Sequence, residues 1–177
     1  MKNKTKDKIM TGFNHLISHH SFDNITVAMI CDQAGISRAT FYRYFKDKYD
    51  VMNTNYIIVL NNAIDPHICH NFKEIYYNLF KTGQKELSFL KNAFETLGAN
   101  SFHRFIHDYS YNIALEITKQ NRNGLGFSER ERLQMDLYCH GCSYMYEKWI
   151  DGDYSLNCQQ AADAIYRMMP DSLKFHW

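Results

Sequence analysis

Apolar residues recur at three- and four-residue intervals along most of the chain, which is the pattern of amphipathic α-helices. The first apolar stripe consists of Ile9, Phe13, Leu16 and Ile17. The segment SFDNIT then interrupts the pattern, and Thr26 has the hydroxyl of a good N-cap for a second helix. The sequence has no valine-rich or alternating run typical of strands. We therefore predict an all-α fold.

The next segment predicts two short helices joined by a tight turn. The second helix of the chain turns four residues inward, Val27, Ile30, Cys31 and Ala34. It ends at Gly35, and Ser37 can cap a third helix in which Phe41 and Phe45 share a buried face. Asp47 can cap a fourth helix. This order is that of a helix-turn-helix, and two core helices with a tight turn are the alternative.

The rest of the chain predicts a bundle of longer helices. The sequence has only two prolines, and Pro170 is expected to end the last helix because proline cannot continue the hydrogen-bond ladder. We predict further helices at residues 71–83, 86–97, 101–121, 128–151 and 157–169. The total is about nine helices. A three-helix helix-turn-helix domain is expected over residues 1–50, and a C-terminal helical bundle over residues 51–177.

Composition is that of a globular protein without membrane spans. The chain has 177 residues, of which 45% are hydrophobic and 22% charged. Its longest strongly apolar run, Tyr56 to Leu60, is far shorter than the roughly 20 residues that cross a bilayer. No apolar signal core follows the charged start MKNKTKDK, and an odd set of five scattered cysteines favours reduced thiols. We expect a soluble cytoplasmic protein without a membrane partner.

Charge is unevenly divided although the net charge is only +1. Residues 1–50 hold eight basic and five acidic residues, whereas the remainder holds 12 basic and 14 acidic residues. The first segment therefore carries +3 and the rest −2. A positive N-terminal module is a feature of many nucleic-acid binding proteins, although a bias of this size adds little by itself.

The third helix combines aromatic and basic residues on its exposed side. With two phenylalanines inward, the outward set is Arg38, Ala39, Tyr42 and Arg43. A major groove admits such a helix, and an arginine forked onto guanine discriminates by about 1–3 kcal/mol. Tyrosine hydroxyls suit phosphate oxygens instead, as do Ser37, Thr26 and Lys48. The segment thus predicts an interface with double-stranded DNA.

The stretch TVAMICDQAGISRATFYRYFKDKYDVM resembles the DNA-binding signature of TetR-family transcriptional regulators. The matching positions are Thr26, Ile30, Cys31, Ala34, Gly35, Ile36, Ser37, Phe41, Tyr42, Phe45 and Lys48. The resemblance covers residues 9–52 and is specific in combination. Two positions depart from the pattern: Cys31 stands where alanine is usual, and Ser21 where glycine usually ends the first helix.

The resemblance implies roles for individual residues. Contacts to phosphates are implied for Thr26, Ser37, Tyr42, Tyr44 and Lys48. Contacts to bases are implied for Arg38, Ala39, Thr40 and Arg43. The C-terminal bundle, by the same resemblance, forms a homodimer through its last two helices and often encloses an effector. A repressor of a palindromic operator is the function we expect.

A narrower resemblance concerns the segment YCHGCSYMYEKWIDGDYS. Its Gly141, Trp149, Ile150 and Gly152 are similar to positions in regulators of dihydroxyacetone kinase operons. At least one of those regulators is switched by a protein coactivator. The alternative to a small-molecule effector is therefore a protein bound by the C-terminal bundle.

Aromatic residues of the C-terminal bundle are candidates for an effector pocket, although stripes of this kind more often form plain core. The candidates are Tyr76, Tyr77, Phe80, Phe105, Tyr109, Ile113, Tyr138, Cys142 and Met145. The segment LYCHGCSYMYEKWI carries aromatic and sulfur side chains around most of its circumference, as a helix between core and partner should. The candidates for the dimer interface are Leu137, Gly141, Tyr144 and Ile165.

Histidine and cysteine pairs leave metal binding and redox sensing open as alternatives. His103 and His107 have the i, i+4 spacing of zinc-binding helices. Other pairs come from HICH (His67, Cys69 and His70) and CHGC (Cys139, His140 and Cys142). Since two ligands do not make a site, we expect neither a metal nor another cofactor. Gly-rich phosphate loops and nucleophile elbows are absent from the sequence, so we do not expect an enzyme.

Overall fold

The structure is a computed structural model that describes residues 4–64, 69–122 and 124–174. These residues contain nine α-helices and two single-turn 3₁₀ helices, and no strand occurs among them. The α-helices are α1 Lys4–Ile17, α2 Val27–Ala34, α3 Arg38–Phe41, α4 Lys48–Ala63, α5 Phe72–Lys85, α6 Leu87–Phe94, α7 Phe102–Asn121, α8 Glu129–Asp151 and α9 Cys158–Met168. The all-α prediction is confirmed.

The helices fall into two compact units, and each has its own core. The first unit comprises residues up to 59 together with residues 86–102, and the second comprises residues 60–85 together with those from 103 onward. The division into domains at residue 50 stays a prediction. No helix in the described part of the chain is both long enough and apolar enough to span a membrane.

The core of the first unit contains several aromatic rings packed among aliphatic side chains. Phe13, Phe22 and Phe41 are fully buried there, and Phe13 meets Phe22 edge to face with ring centroids 6.4 Å apart. A 3₁₀ turn, Phe22–Asn24, fills the predicted break between α1 and α2. The break is thus a structured turn that contributes a side chain to the core.

The second unit is built on α5, α8 and α9. Two of these helices begin with capping boxes, formed by Ser128 with Glu131 and by Asn157 with Gln160. Each box satisfies N–H groups that a helix start otherwise leaves unpaired. These caps account for the agreement between the predicted and observed starts of α8 and α9.

The third helix is shorter than its apolar pattern predicts. It ends at Phe41, and residues 42–44 continue as a turn. The Phe45 N–H still donates to the Phe41 carbonyl oxygen, at 3.1 Å, so Phe45 returns to the core beside Phe41. The predicted burial of both phenylalanines is confirmed, although Phe45 lies outside the helix.

Candidate functional site

The turn between α2 and α3 is fixed by two caps and a glycine. The Thr26 hydroxyl accepts from the Met29 N–H at 3.2 Å, and the Ser37 hydroxyl accepts from the Thr40 N–H at 3.1 Å. Between them, Gly35 has φ +64°, in the left-handed region that glycine adopts without strain. This geometry sets the direction in which α3 leaves α2.

The outward side of α3 and of the turn that follows it is exposed to solvent. Arg38, Ala39 and Tyr42 are exposed, and so is Arg43, whose guanidinium donates to the Thr40 hydroxyl at 3.1 Å. Since Phe41 packs inward, the helix and the turn after it present two guanidinium groups and one phenol to solvent. Such groups can form hydrogen bonds with base edges and phosphate oxygens.

Two other predicted contact residues are partly covered. Tyr44 is half-buried in the turn that follows α3. Lys48 is also half-buried, and its ammonium donates to the carbonyl oxygens of Phe22 at 2.9 Å and Asp23 at 3.1 Å. Burial lowers the pKa of Lys48, with the Asp23 carboxylate acting in the opposite direction. Lys48 therefore ties the start of α4 to the 3₁₀ turn, a role that the sequence does not indicate.

These features define a helix-turn-helix protein with a basic recognition surface. The sequence model described as "Bacterial regulatory proteins, tetR family" matches residues 9–53, and one described as "Transcriptional regulator C-terminal region" matches residues 70–171. Together the two models cover most of the chain. The chain belongs to the tetR family, and it is a transcriptional regulator with a DNA-binding helix-turn-helix.

Solved structures of regulators share this fold. The chain is similar to the dihydroxyacetone kinase operon activator DhaS, with 18% identity, a TM-score of 0.64 and 93% of each chain covered. It is also similar to the fatty acid degradation regulator FadR from Bacillus halodurans, with 16% identity, a TM-score of 0.59 and 97% of each chain covered. A third similar structure is RolR in complex with resorcinol, with 17% identity and a TM-score of 0.56. The match covers 93% of this chain and 87% of the RolR chain. No curated protein sequence matches the chain.

Three of the candidate effector residues lie together in the second unit. The rings of Tyr76 and Tyr138 meet edge to face, with centroids 6.4 Å apart, and both tyrosines lie close to the Cys142 thiol. Tyr138 also donates to the Ile165 carbonyl oxygen at 3.0 Å. Burial raises the pKa of both tyrosines and raises that of Cys142 to about 12. This cluster, Tyr76, Tyr138 and Cys142, is the polar end of a largely apolar core.

The remaining candidates are distributed over other parts of the second unit. Phe80 packs edge to face against Trp149, with ring centroids 4.8 Å apart, while Phe105 and Tyr109 lie against each other at 5.7 Å. Met145 accepts a hydrogen bond from the Tyr154 hydroxyl at 3.4 Å. Tyr77 and Ile113 are both half-buried.

The candidates for the dimer interface differ in exposure. Leu137 is 65% exposed and Tyr144 56% exposed, and Gly141 lies between them on the same face of α8. Ile165 is only 5% exposed and packs inside its own unit. Leu133, which the sequence analysis did not single out, extends the exposed stripe by one turn.

The histidine and cysteine pairs are not assembled as their spacing suggests. His67 lies outside the described residues, His70 is exposed, and the buried Cys69 donates to the Ala63 carbonyl oxygen at 3.3 Å. Burial raises the pKa of Cys139 to about 12, as it does for Cys142. Both thiols are therefore protonated at neutral pH, a state in which a cysteine is a poor nucleophile.

Proposed function

We propose that the chain is a homodimeric, sequence-specific repressor that acts in the cytoplasm on a palindromic operator and has no enzymatic activity. The observation that carries the proposal is the surface of α3 and of the turn that follows it, where Arg38, Tyr42 and Arg43 are exposed. A helix that is anchored by one face and basic on the other fits a major groove.

The proposed contacts fall into two groups. Phosphate oxygens are bound by Thr26, Ser37, Tyr42, Tyr44 and Lys48, which set the position of the helix on the duplex. Base edges are read by Arg38, Ala39, Thr40 and Arg43. The hydroxyls of Thr26 and Ser37 already cap helices, but a hydroxyl that accepts from an N–H can still donate to a phosphate.

A homodimer doubles the number of bases that this short helix can contact. One α3 of four residues reads few bases, whereas two copies related by a two-fold axis read a palindrome with half-sites about 10 base pairs apart. The exposed stripe on α8, formed by Leu133, Leu137, Gly141 and Tyr144, supports an interface there. Apolar stripes of this kind on a helix commonly mark association surfaces.

We propose that a small effector reaches the cluster of Tyr76, Tyr138 and Cys142. Resorcinol in the RolR complex supports a small hydroxylated ligand, since phenolic groups would pair with the tyrosine hydroxyls. The wider candidate pocket is lined by Tyr77, Phe80, Phe105, Tyr109, Ile113 and Met145. A protein coactivator bound by the second unit is the second candidate, and it is favoured by the resemblance of Gly141, Trp149, Ile150 and Gly152 to positions in regulators of dihydroxyacetone kinase operons.

The test is a selection of bound duplexes from a random DNA pool with the purified full-length chain. Enrichment of a palindrome is the expected result, with affinity falling by a log–log salt slope of about −0.9 per phosphate contact. Fractionated cell extract is then added to the selected duplex. Release by a heat-stable fraction of low mass supports the small effector, and release by a protease-sensitive fraction supports the coactivator. A pool without enrichment contradicts the proposed function.

A further inference from the structure

Three potential metal ligands meet on the second unit, between α7 and α8. One ligand atom each from His107, Asp136 and His140 lies within 4.8 Å of the other two. Asp136 and His140 are four residues apart, so they project from the same face of α8. The imidazole of His107 stacks on that of His140, with centroids 3.5 Å apart and planes inclined by 11°.

The orientation of His107 is fixed by a neighbouring carboxylate. Its Nδ1 lies 3.0 Å from the Asp108 Oδ1, and a carboxylate oxygen can only accept a hydrogen bond. In the neutral tautomer that donates from Nδ1 to this carboxylate, Nε2 keeps a lone pair. A carboxylate that binds the far nitrogen of a histidine is the usual outer shell of a metal-ligating imidazole.

The Nε2 atom of His107 is buried and lacks a hydrogen-bond partner. It lies 3.2 Å from the Asp136 Oδ1, which is close enough for an ion pair but not in a hydrogen-bonding direction. A neutral imidazole nitrogen and a carboxylate oxygen are both electron-rich, so their closeness is unfavourable unless positive charge lies with them. A proton satisfies one nitrogen, whereas a metal ion satisfies the Asp136 carboxylate and both imidazoles at once.

We propose that His107, Asp136 and His140 bind a divalent transition-metal ion of the Zn²⁺ class. Imidazole and carboxylate donors select this class, whereas Ca²⁺ and Mg²⁺ prefer oxygen donors alone. Zinc–nitrogen bonds of about 2.0–2.1 Å bring tetrahedral ligand atoms to about 3.3 Å from one another. A metal lies in the plane of each imidazole that binds it, so the His140 ring has to turn out of its stack on His107. Asp136 and His140 are on the surface, where their side chains can turn towards a shared ion, and a fourth position is left for solvent.

This site differs from the pair that the sequence spacing suggests. One turn earlier on α7, His103 is occupied by an ion pair with Glu147, with 3.2 Å between the His103 Nε2 and the Glu147 Oε1. His103 is therefore a natural control, since it is a histidine of the same helix with its own partner. The proposed site lies within the second unit and does not depend on DNA binding.

Metal titration of the full-length chain tests the proposal. The protein carries no histidine tag and is first treated with a chelator, and Zn²⁺ and Co²⁺ are then added separately. One ion per chain is expected by calorimetry, and Zn²⁺ should raise the melting temperature until chelator is returned. Bound Co²⁺ should show visible d–d absorption without the near-ultraviolet band of a cobalt–thiolate bond.

Matched variants show whether these residues are the ligands. His140→Ala removes an exposed side chain and should abolish stoichiometric binding, while His103→Ala should leave the affinity unchanged. Asp108→Asn should weaken binding by about 10–100-fold, as is usual when an outer-shell carboxylate is lost. Circular dichroism in chelator checks that each variant is folded. Absence of stoichiometric binding, wild-type affinity of His140→Ala, or a thiolate band would each overturn the proposal.

Discussion

Lys48 and Phe22 are joined twice, by a hydrogen bond of 2.9 Å from the ammonium to the Phe22 carbonyl oxygen and by an ammonium–ring distance of 4.5 Å. The side chain thus links the start of α4 to the turn that precedes α2. Because hydrogen bonds of charged groups contribute about 1.5–3 kcal/mol, Lys48→Met should lower the free energy of unfolding by that order. Urea denaturation measures the change.

Lys46→Met is the matched control for this prediction, since Lys46 is an exposed lysine two residues away. It removes the same charge without removing the link to Phe22. Equal stability of the two variants would contradict the structural role of Lys48. If Lys48 also binds a phosphate, its variant should reduce the salt slope of DNA binding by about 0.9.

Arg38 and Tyr42 should respond differently to substitution. Arg38→Ala should blur the preference at one base pair of the selected operator, by about 1–3 kcal/mol. Tyr42→Phe should lower the affinity for all DNA sequences by the same factor, because a phosphate contact carries no sequence information. Competition binding against single-base variants of the operator separates the two effects. An Arg38→Ala protein with unchanged affinity and preference would show that another residue reads the base.

The exposed stripe on α8 predicts that Leu137→Glu converts a dimer into a monomer. A carboxylate at the centre of an apolar interface would be desolvated without a partner, which is strongly unfavourable. Sedimentation velocity over a range of concentrations measures the outcome. Leu97→Glu is the control, because Leu97 is 84% exposed but lies in the other unit. A dimer that survives Leu137→Glu places the interface elsewhere.

Substitution of Gly141 by alanine should stabilise the monomer but weaken the dimer. A Cβ built there meets nothing within 4 Å in its own chain, and alanine favours a helix over glycine by about 0.8–1.0 kcal/mol. In the Leu137→Glu background, Gly141→Ala should therefore stabilise the protein against urea. In the otherwise unchanged chain it should weaken the dimer, since a methyl group would separate closely packed partner helices. Tighter association in that chain would argue against close packing at Gly141.

Glu131 should make the free energy of unfolding depend on pH. A hydrogen bond from Arg122, at 2.7 Å, and others from Ser128 lower the pKa of this carboxyl from 4.5 to about 2. Because the pKa is lower in the folded protein, the ionised Glu131 carboxylate contributes fully to the free energy of unfolding above pH 4.5. This contribution is lost as the pH falls towards 2. Glu131→Gln keeps the capping geometry, and its urea midpoint should decline less over that range. Glu129→Gln, an exposed change in the same helical turn, should retain the decline of the unaltered chain.

The helices were predictable wherever capping residues mark their starts. Ser128 and Asn157 fix α8 and α9 to within a residue or two of the predicted bounds, since their side chains act on neighbours close in sequence. The end of α3 was not predictable in this way. Phe41 and Phe45 have a spacing that suits both a longer helix and a turn closed by the same i→i+4 hydrogen bond.

The sites were less predictable because their partners are distant in sequence. Lys48 and Phe22 are 26 residues apart in the chain, so no local sequence pattern predicts their contact. His103 and His107 share a helical face, yet each turns to a different partner on α8. The exposed face of α3 could be predicted from the sequence because two buried phenylalanines, Phe41 in the helix and Phe45 just after it, determine which side faces inward.

The helix α8 has three faces that are used differently. Met135 and Cys139 point into the core, Leu137 and Tyr144 face solvent, and His140 turns towards α7. At 23 residues it is a rod of about 35 Å. A rigid rod turns as one piece, so an ion at the proposed metal site and a second copy at the proposed dimer interface would each favour one rotational position of the same helix.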